Sequence, residues 1–323
     1  MSENFAPIIV FTYLRLGKLK KLISNLKKNY GSKKSDIYIF SDNAKYKKDI
    51  KKIKKVRKYI NSINGFRKKT IILRNKNFGN GKNITEGVTL VLKKRKSAII
   101  LEDDLEIGNN FLHFMNTCLT KYRKYKKIWH IGGWSFDLNR HSSYDIFFSK
   151  SMQPWGWATW SDRWKYFERN PIELINFFKR DRNRIYKFNQ NGTIDSFKQI
   201  VDNYNNKKDT WAIFWSAQIF KNNALCISPH KSLVKSNGFD NFSTHVHPKH
   251  FANIIYKNKI NKNKSFKFPK KILEDKEFNN DFKKFYYKKV RTKFMIKNFI
   301  MVLKKNPHLI MSKLFQKFYK IFF

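Results

Sequence analysis

Glu102, Asp103 and Asp104 stand in a row directly after the apolar run Ala-Ile-Ile-Leu at residues 98–101. Three adjacent carboxylates repel one another unless a cation or a full set of hydrogen-bond donors sits among them. A hard divalent ion is the economical companion. Mg2+ or Mn2+ takes oxygen ligands and leaves positions for the oxygens of a phosphorylated substrate. The competing reading is a helix N-terminus that collects acids through its dipole, which accounts for one or two of the three. Acids are scarce elsewhere: 23 stand against 69 lysines and arginines, for a formal net charge of +46. No serine elbow, Walker loop or paired-cysteine motif offers a rival chemistry, and Gly79-Asn80-Gly81-Lys82 lacks the spacing of a P-loop.

Such a cluster meets a ligand when it lies at the carboxyl end of a strand in an open parallel sheet. Residues 98–101 have the uninterrupted apolar character of a strand buried on both faces. Strand-like runs at 7–13, 36–40, 70–73 and 128–134 alternate with helical spacing at 16–30 (Leu19, Leu22, Ile23, Leu26), 82–92 (Ile84, Val88, Val91) and 110–125. Residues 45–63 form a basic helical or irregular stretch, and 75–81 a turn. This alternation predicts a mostly parallel sheet with helices on both faces. The second half differs: an aromatic segment at 153–160, a helical region to about 201, a helix after Trp211, a strand near 224–227 and a loop at 232–245.

The composition, 41% hydrophobic and 17% aromatic, supports a real core in this chain of 323 residues. Cys118 and Cys226 fall in unrelated segments, which fits a reducing compartment better than a disulfide framework. The N-terminus lacks the basic start of a signal peptide. Its apolar run at 8–14 is far shorter than the ~20 residues of a membrane span. A cytoplasmic location is therefore expected. Lysines are spread along nearly the whole chain and no nucleic-acid motif is visible, so nucleic acid is not an expected partner. The excess charge still favours anionic partners such as nucleotide sugars, phospholipid headgroups or acidic glycans.

Four ordered motifs carry a resemblance: Glu102-Asp103-Asp104-Leu105-Glu106 followed by a helix with Phe111 and Phe114; Trp155-Gly156-Trp157-Ala158-Thr159-Trp160; Asp209-Thr210-Trp211; and the Lys-Ser-Leu-Val, Gly-Phe-Asp and Thr-His pieces between Lys231 and His245. The first resembles the metal motif of the Golgi N-acetylglucosaminyltransferases that initiate complex N-glycans. The whole set is similar to their bacterial relatives, GT-A glycosyltransferases labelled family 2 or hemolysin-like sugar transferases, over about residues 6–247. The resemblance implies an α/β GT-A fold, a twisted, mostly parallel sheet flanked by helices with a C-terminal helical tail. Residues 1–135 would bind the nucleotide sugar, 136–250 would hold the acceptor and the catalytic groups, and 251–323 would form a basic amphipathic tail.

The same resemblance implies roles. Asp104 ligates Mn2+ or Mg2+, while Glu102 and Asp103 contact the ribose or sugar of the donor. Asp42 reads the uracil ring, Arg15 lies near the phosphates, and Asn77 and Lys82 line the nucleotide pocket. A turn-forming Asp42 is the plain alternative. Inverting transfer needs a group that takes the acceptor proton; Asp209 is the first candidate and Asp240 the second, with a helix cap as the other reading of Asp209. Where relatives carry an acid after the tryptophan, this chain has Ala212. Trp155 and Trp157 are the expected acceptor-binding residues, with one tryptophan of Trp155, Trp157 and Trp160 expected in the core and one in the wall of the acceptor or donor-sugar site. His245 is expected near the diphosphate; His247 and His250 lack the helical spacing of a zinc pair.

The expected activity is metal-dependent, inverting transfer from a UDP-sugar to a hydroxyl of a glycan or lipid-linked glycan, in surface polysaccharide or lipooligosaccharide synthesis. Two alternatives stay open: a sugar-phosphate nucleotidyltransferase and a non-catalytic glycan- or membrane-binding protein. Beyond Lys283 the sequence predicts peripheral membrane helices. Met295, Phe299, Val302 and Leu303 share one face, and Ile310, Leu314, Phe318 and Ile321 another after Pro307. Packing of that tail on the catalytic domain is the alternative.

Overall fold

The computed structural model describes residues 5–138, 140–238 and 258–291. Its first half runs β1 (Ile8–Thr12), α1 (Leu16–Lys28), β2 (Asp36–Ser41), α2 (Ile50–Ser62), β3 (Lys68–Leu73), α3 (Gly79–Leu92), β4 (Ser97–Glu102), β5 (Leu105–Ile107), α4 (Phe111–Lys121) and β6 (Ile128–Gly132). The second half adds β7 (Ile146–Ser149), β8 (Trp157–Trp160), α5 (Ser161–Trp164), α6 (Pro171–Lys179), α7 (Arg182–Phe188), α8 (Ser196–Tyr204), α9 (Ala212–Lys221), β9 (Leu225–Pro229), β10 (Val234–Ser236) and α10 (Phe278–Tyr286).

Eight strands form one sheet in the order β3-β2-β1-β4-β8-β6-β9-β7. β1, β2, β3 and β4 are parallel, as are β6 and β9; β8 runs antiparallel between β4 and β6, and β7 antiparallel to β9. This is the α/β architecture, a mostly parallel sheet flanked by helices, that the resemblance implied. One sheet spans both expected halves, so the boundary near residue 135 is not a break between sheets.

Both faces of the sheet are covered, which explains the continuous apolar runs. In β1, Ile8 and Val10 join the core beneath α1, α2 and α4, while Ile9 and Phe11 join the core beneath α3 and α9. β4 splits in the same way, with Ile99 and Leu101 on the first side and Ala98 and Ile100 on the second. The four-residue β8 obeys the same period of two: Trp160 packs into the first core and Trp157 into the second. A separate helical cluster of α6, α7, α8 and α9 buries Leu174, Phe178, Phe188, Ile200 and Phe214.

Four strands escape the sequence pattern. β5, β7, β8 and β10 are three or four residues long, too short for alternation to stand out. The start of the expected tail also differs from expectation. Residues 258–286 belong to the folded domain. Asn261 donates its N–H to the Ser232 carbonyl (2.7 Å), Phe266 meets Phe114 edge-on at 5.0 Å, and Arg140 pairs with Asp275 and with Asp281. Phe278 and Phe282 are buried against Phe147 and Phe136. The remaining tail faces, Met295 to Ile321, lie outside the described residues. Among the described residues no helix is long and apolar enough to cross a membrane.

Candidate active site

The carboxylates occupy the carboxyl end of β4, paired at this level with the end of β1 (Phe11 opposite Glu102). Each has a different environment. Asp103 is buried, and its Oδ2 accepts from the Thr12 hydroxyl and the Tyr13 N–H, both at 2.9 Å. Asp104 pairs with the Arg15 guanidinium at 2.5 Å, while Arg15 stands 3.7 Å from Asp103. Glu102 faces the cleft and accepts from the Asn80 side-chain amide at 3.3 Å. Burial, then repulsion from Asp104 and Asp103, pushes Glu102 up to about 8. Burial and Asp104 push Asp103 up to about 6 against the pull of Arg15. A single guanidinium therefore leaves the trio short of positive charge.

That shortage is the test of fit for a divalent ion. Asp103 spends one oxygen on β1, so Asp104 and Glu102 are the acids that face the cleft. Among the described residues no group of three or more ligating side chains is poised to hold a metal alone. One or two carboxylates completed by phosphate oxygens is the usual arrangement for Mg2+ in phosphate-handling sites, so the residues fit an ion that arrives with a diphosphate.

A cleft of about 420 Å³ opens from these acids. One wall is the segment from Ser151 to Trp155, the second is the start of α9 with Lys208, Thr210 and Trp211, and the third is Gln190, Ser196 and Gln199 of the helical cluster. Phe282 of α10 and Gly238 after β10 complete it. The kink at Gly156 sets the first wall. Its φ of +63° is left-handed, and a Cβ there would stand 2.8 Å from Val234 Cγ2, so glycine alone fits. The kink leaves Trp155 in the cleft and sends Trp157 into the core. Trp157 is 1% exposed and stacks on His130 and Trp211 at 5.4 and 5.0 Å. Trp157 therefore cannot contact an acceptor, a correction to the sequence expectation; Trp160 is likewise core. His130 in turn bonds the Gln153 carbonyl through Nε2 at 3.1 Å, tying the wall to β6.

The remaining expected residues fall around this cleft. Asp42 is buried and saturated. Its Oδ1 accepts from the N–H groups of Asn43 and Phe78, its Oδ2 from the Gly79 N–H and the Asn77 amide, over 2.9–3.2 Å. A carboxylate has about four lone-pair sites, so a base reaches Asp42 only by displacing one donor. Asn77 is itself committed to Asp42 and to the Asn43 carbonyl. Lys82 points outward to Glu86 at 3.5 Å and over the Phe78 ring, outside the cleft lining. Asp209 stands beside the lining rather than in it. Its carboxylate bonds Arg169 at 2.7 Å and presses on Gly79 and Gly81 at the start of α3, while its neighbours Lys208 and Thr210 face the cleft. Asp240, His245, His247 and His250 lie outside the described residues. The chain leading to them is anchored at the acids: Asn237 donates to the Asp104 carbonyl at 2.9 Å, and Gly238 touches the Asp104 carboxylate so closely that a Cβ would overlap it.

Asn80, Gln153, Gln190, Gln199 and Lys208 were not singled out from sequence. Asn80 sits in a glycine turn that draws attention for its backbone, Gln153 and Lys208 flank motifs read for their tryptophans and acid, and Gln190 and Gln199 come from segments without a motif, brought to the cleft by packing alone.

No protein-family model matches the chain, and no curated protein matches it. Among solved structures it is similar to S. aureus TarS (18% identity over 36% of this chain and 20% of that one, TM-score 0.28). It is also similar to TarS 1-349 from S. aureus (13% identity, 48% and 46%, TM-score 0.35). A third likeness is to the mannosyltransferase PcManGT from Pyrobaculum calidifontis in complex with GDP-Man and Mn2+ (10% identity, 48% and 44%, TM-score 0.33). The match spans less than half the length of each of these chains. At such scores the likeness bears on neither substrate nor mechanism.

Proposed function

We propose that this protein is a metal-dependent, inverting glycosyltransferase that moves a sugar from a UDP-sugar to a glycan hydroxyl. The observation that carries the reading is the charge-deficient trio Glu102, Asp103 and Asp104 at the carboxyl end of β4, opening into a cleft walled by Trp155. A Mn2+ or Mg2+ ion bound by Asp104, with Glu102 at its side, would offset the charge of a leaving nucleoside diphosphate. Arg15 would stay close to the diphosphate, where a guanidinium suits phosphate oxygens. Asp103, locked to Thr12 and Tyr13, would hold the acid turn in shape. Asp42 would shape the nucleotide pocket through the 77–79 turn that it holds. Asp240 would serve as the general base, with Asp209, paired to Arg169 beside the cleft lining, as the other candidate. His245 would lie near the diphosphate.

The setting we propose is surface polysaccharide or lipooligosaccharide assembly on the cytoplasmic membrane face, with residues 292–323 as the membrane contact. Incubation with Mn2+ and each UDP-sugar, reading released UDP, tests the activity. Release of UDP that stops with EDTA and in Asp104→Ala supports it. Release of pyrophosphate from a nucleoside triphosphate and a sugar phosphate would make the protein a nucleotidyltransferase instead, and failure to bind UDP with metal would leave a non-catalytic binding protein.

A further inference from the structure

The cleft departs from the rest of the molecule in its charge. Roughly one residue in five of the chain is lysine or arginine, yet only Arg15 and Lys208 line the described cleft, matched by Glu102 and Asp104. Away from the acids, the lining is neutral and rich in amides and hydroxyls: Gln153, Gln190, Ser196, Gln199 and Ser216, set beside the Trp155 ring. Ser196 and Gln199 lie one turn apart on the same face of α8. The side-chain amides of Gln190 and Gln199 find no hydrogen-bond partner among the described residues. Gln190 is also held in an uncommon conformation. It and Asn191 both have φ of +53°, followed by Gly192 at +75°. Left-handed backbone is unfavourable for a glutamine and, where it persists, points to a function for the residue it presents. Here the turn presents Gln190 to the cleft.

We infer that this wall is an acceptor subsite for an uncharged sugar. This rests on the glycosyltransferase reading. The apolar face of the ring lies on Trp155, and its hydroxyls bond the Gln190 and Gln199 amides, which can each donate and accept. An acidic sugar or a sugar phosphate would meet Glu102 and Asp104, with Arg15 already paired to Asp104, at one end and a single lysine at the other, without the free guanidinium pair that anions favour. In so basic a chain, a described lining whose two cations are matched by two acids selects for a neutral partner by withholding net countercharge.

Saturation-transfer NMR on the full chain compares methyl hexosides and methyl N-acetylhexosaminides with hexuronates, sialosides and hexose phosphates at equal concentration. The neutral sugars are expected to bind and the anionic ones not. Gln190→Leu and Gln199→Leu should each weaken neutral-sugar binding roughly 3–10-fold, the loss of one or two hydrogen bonds, with an unchanged melting temperature as the control for folding. Equal or better binding of the anionic sugars overturns the inference, and so does neutral-sugar binding that survives both substitutions. If a variant fails to fold, the comparison of sugars on the parent decides. UDP-sugar hydrolysis by the parent is read separately. Neutral-sugar binding without donor turnover would leave the subsite standing and remove the transferase reading. Donor turnover with a preference for anionic sugars would do the reverse.

Discussion

His130 provides a quantitative test of how the cleft wall is held. The side chain is fully buried in β6, stacked on Trp157, with Nε2 on the Gln153 carbonyl and Nδ1 without a partner among the described residues. Burial pushes it from the ordinary 6.5 down to about 3. The sign follows from linkage: the unfolded chain takes up a proton below about 6.5 and the folded one does not, so stability present above 6.5 is lost as pH falls toward 3. At 1.36 kcal/mol per pH unit, the loss from this one group is about 2 kcal/mol at pH 5 and about 3 kcal/mol at pH 4, relative to pH 8. Urea unfolding of the parent and of His130→Phe at several pH values isolates it, because other groups titrate in both proteins. The phenyl ring loses the bond to Gln153, a constant offset, but keeps the stack. The difference in stability between parent and variant should shift in favour of the variant by those amounts as pH falls. A difference that stays flat from pH 8 to pH 4 would refute the buried, neutral imidazole.

Three further outcomes are expected. Phe282→Ala should lower stability by about 2–4 kcal/mol by truncating a ring packed at 4.6 Å on Phe136; a denaturation midpoint like that of the parent would show that α10 is dispensable, as a free tail would be. Asp42→Asn places an amide against donors it now accepts from, at about 1–3 kcal/mol for each buried group left unpaired. Urea unfolding should show that loss, whereas parental stability with blurred choice among UDP, GDP and CDP would make Asp42 a reader of the base. In single-turnover assays Asp240→Asn should slow transfer by roughly 10²–10⁴-fold with donor binding intact, and Asp209→Asn, which can still accept from Arg169, by less than about tenfold. The opposite pattern would return the base to Asp209.

The parallel half of the fold was legible because its central strands are buried on both faces and read as apolar runs, as in residues 8–11 and 98–101. The acid trio was legible because carboxylates are rare in this chain and these end a core strand. Trp157 was not separable from Trp155, since composition cannot show which side of Gly156 turns inward; that depends on the left-handed kink packed against Val234. Asp209 looked available beside a tryptophan, and only the folded chain brings Arg169, 40 residues away, to its carboxylate. Phe278 and Phe282 fall in the stretch 251–323 expected as an amphipathic tail, because an apolar stripe looks the same whether or not it packs on the domain. Gln190 and Gln199 gave no signal at all: polar residues in turns and on helix surfaces are ordinary, and their convergence is a property of the packing of the helical cluster that holds α7 and α8.

In the proposed reaction Asp104 and a divalent ion together would hold the diphosphate of a uridine nucleotide. Isothermal calorimetry of UDP against the parent and Asp104→Asn, with Mn2+ and with EDTA, tests it most directly. The parent should bind UDP with Mn2+, and binding should weaken at least about tenfold on chelation or on substitution, the scale of one lost charge-assisted contact, while circular dichroism stays unchanged. UDP binding of equal strength in EDTA, or no UDP binding by the parent with Mn2+, would contradict it.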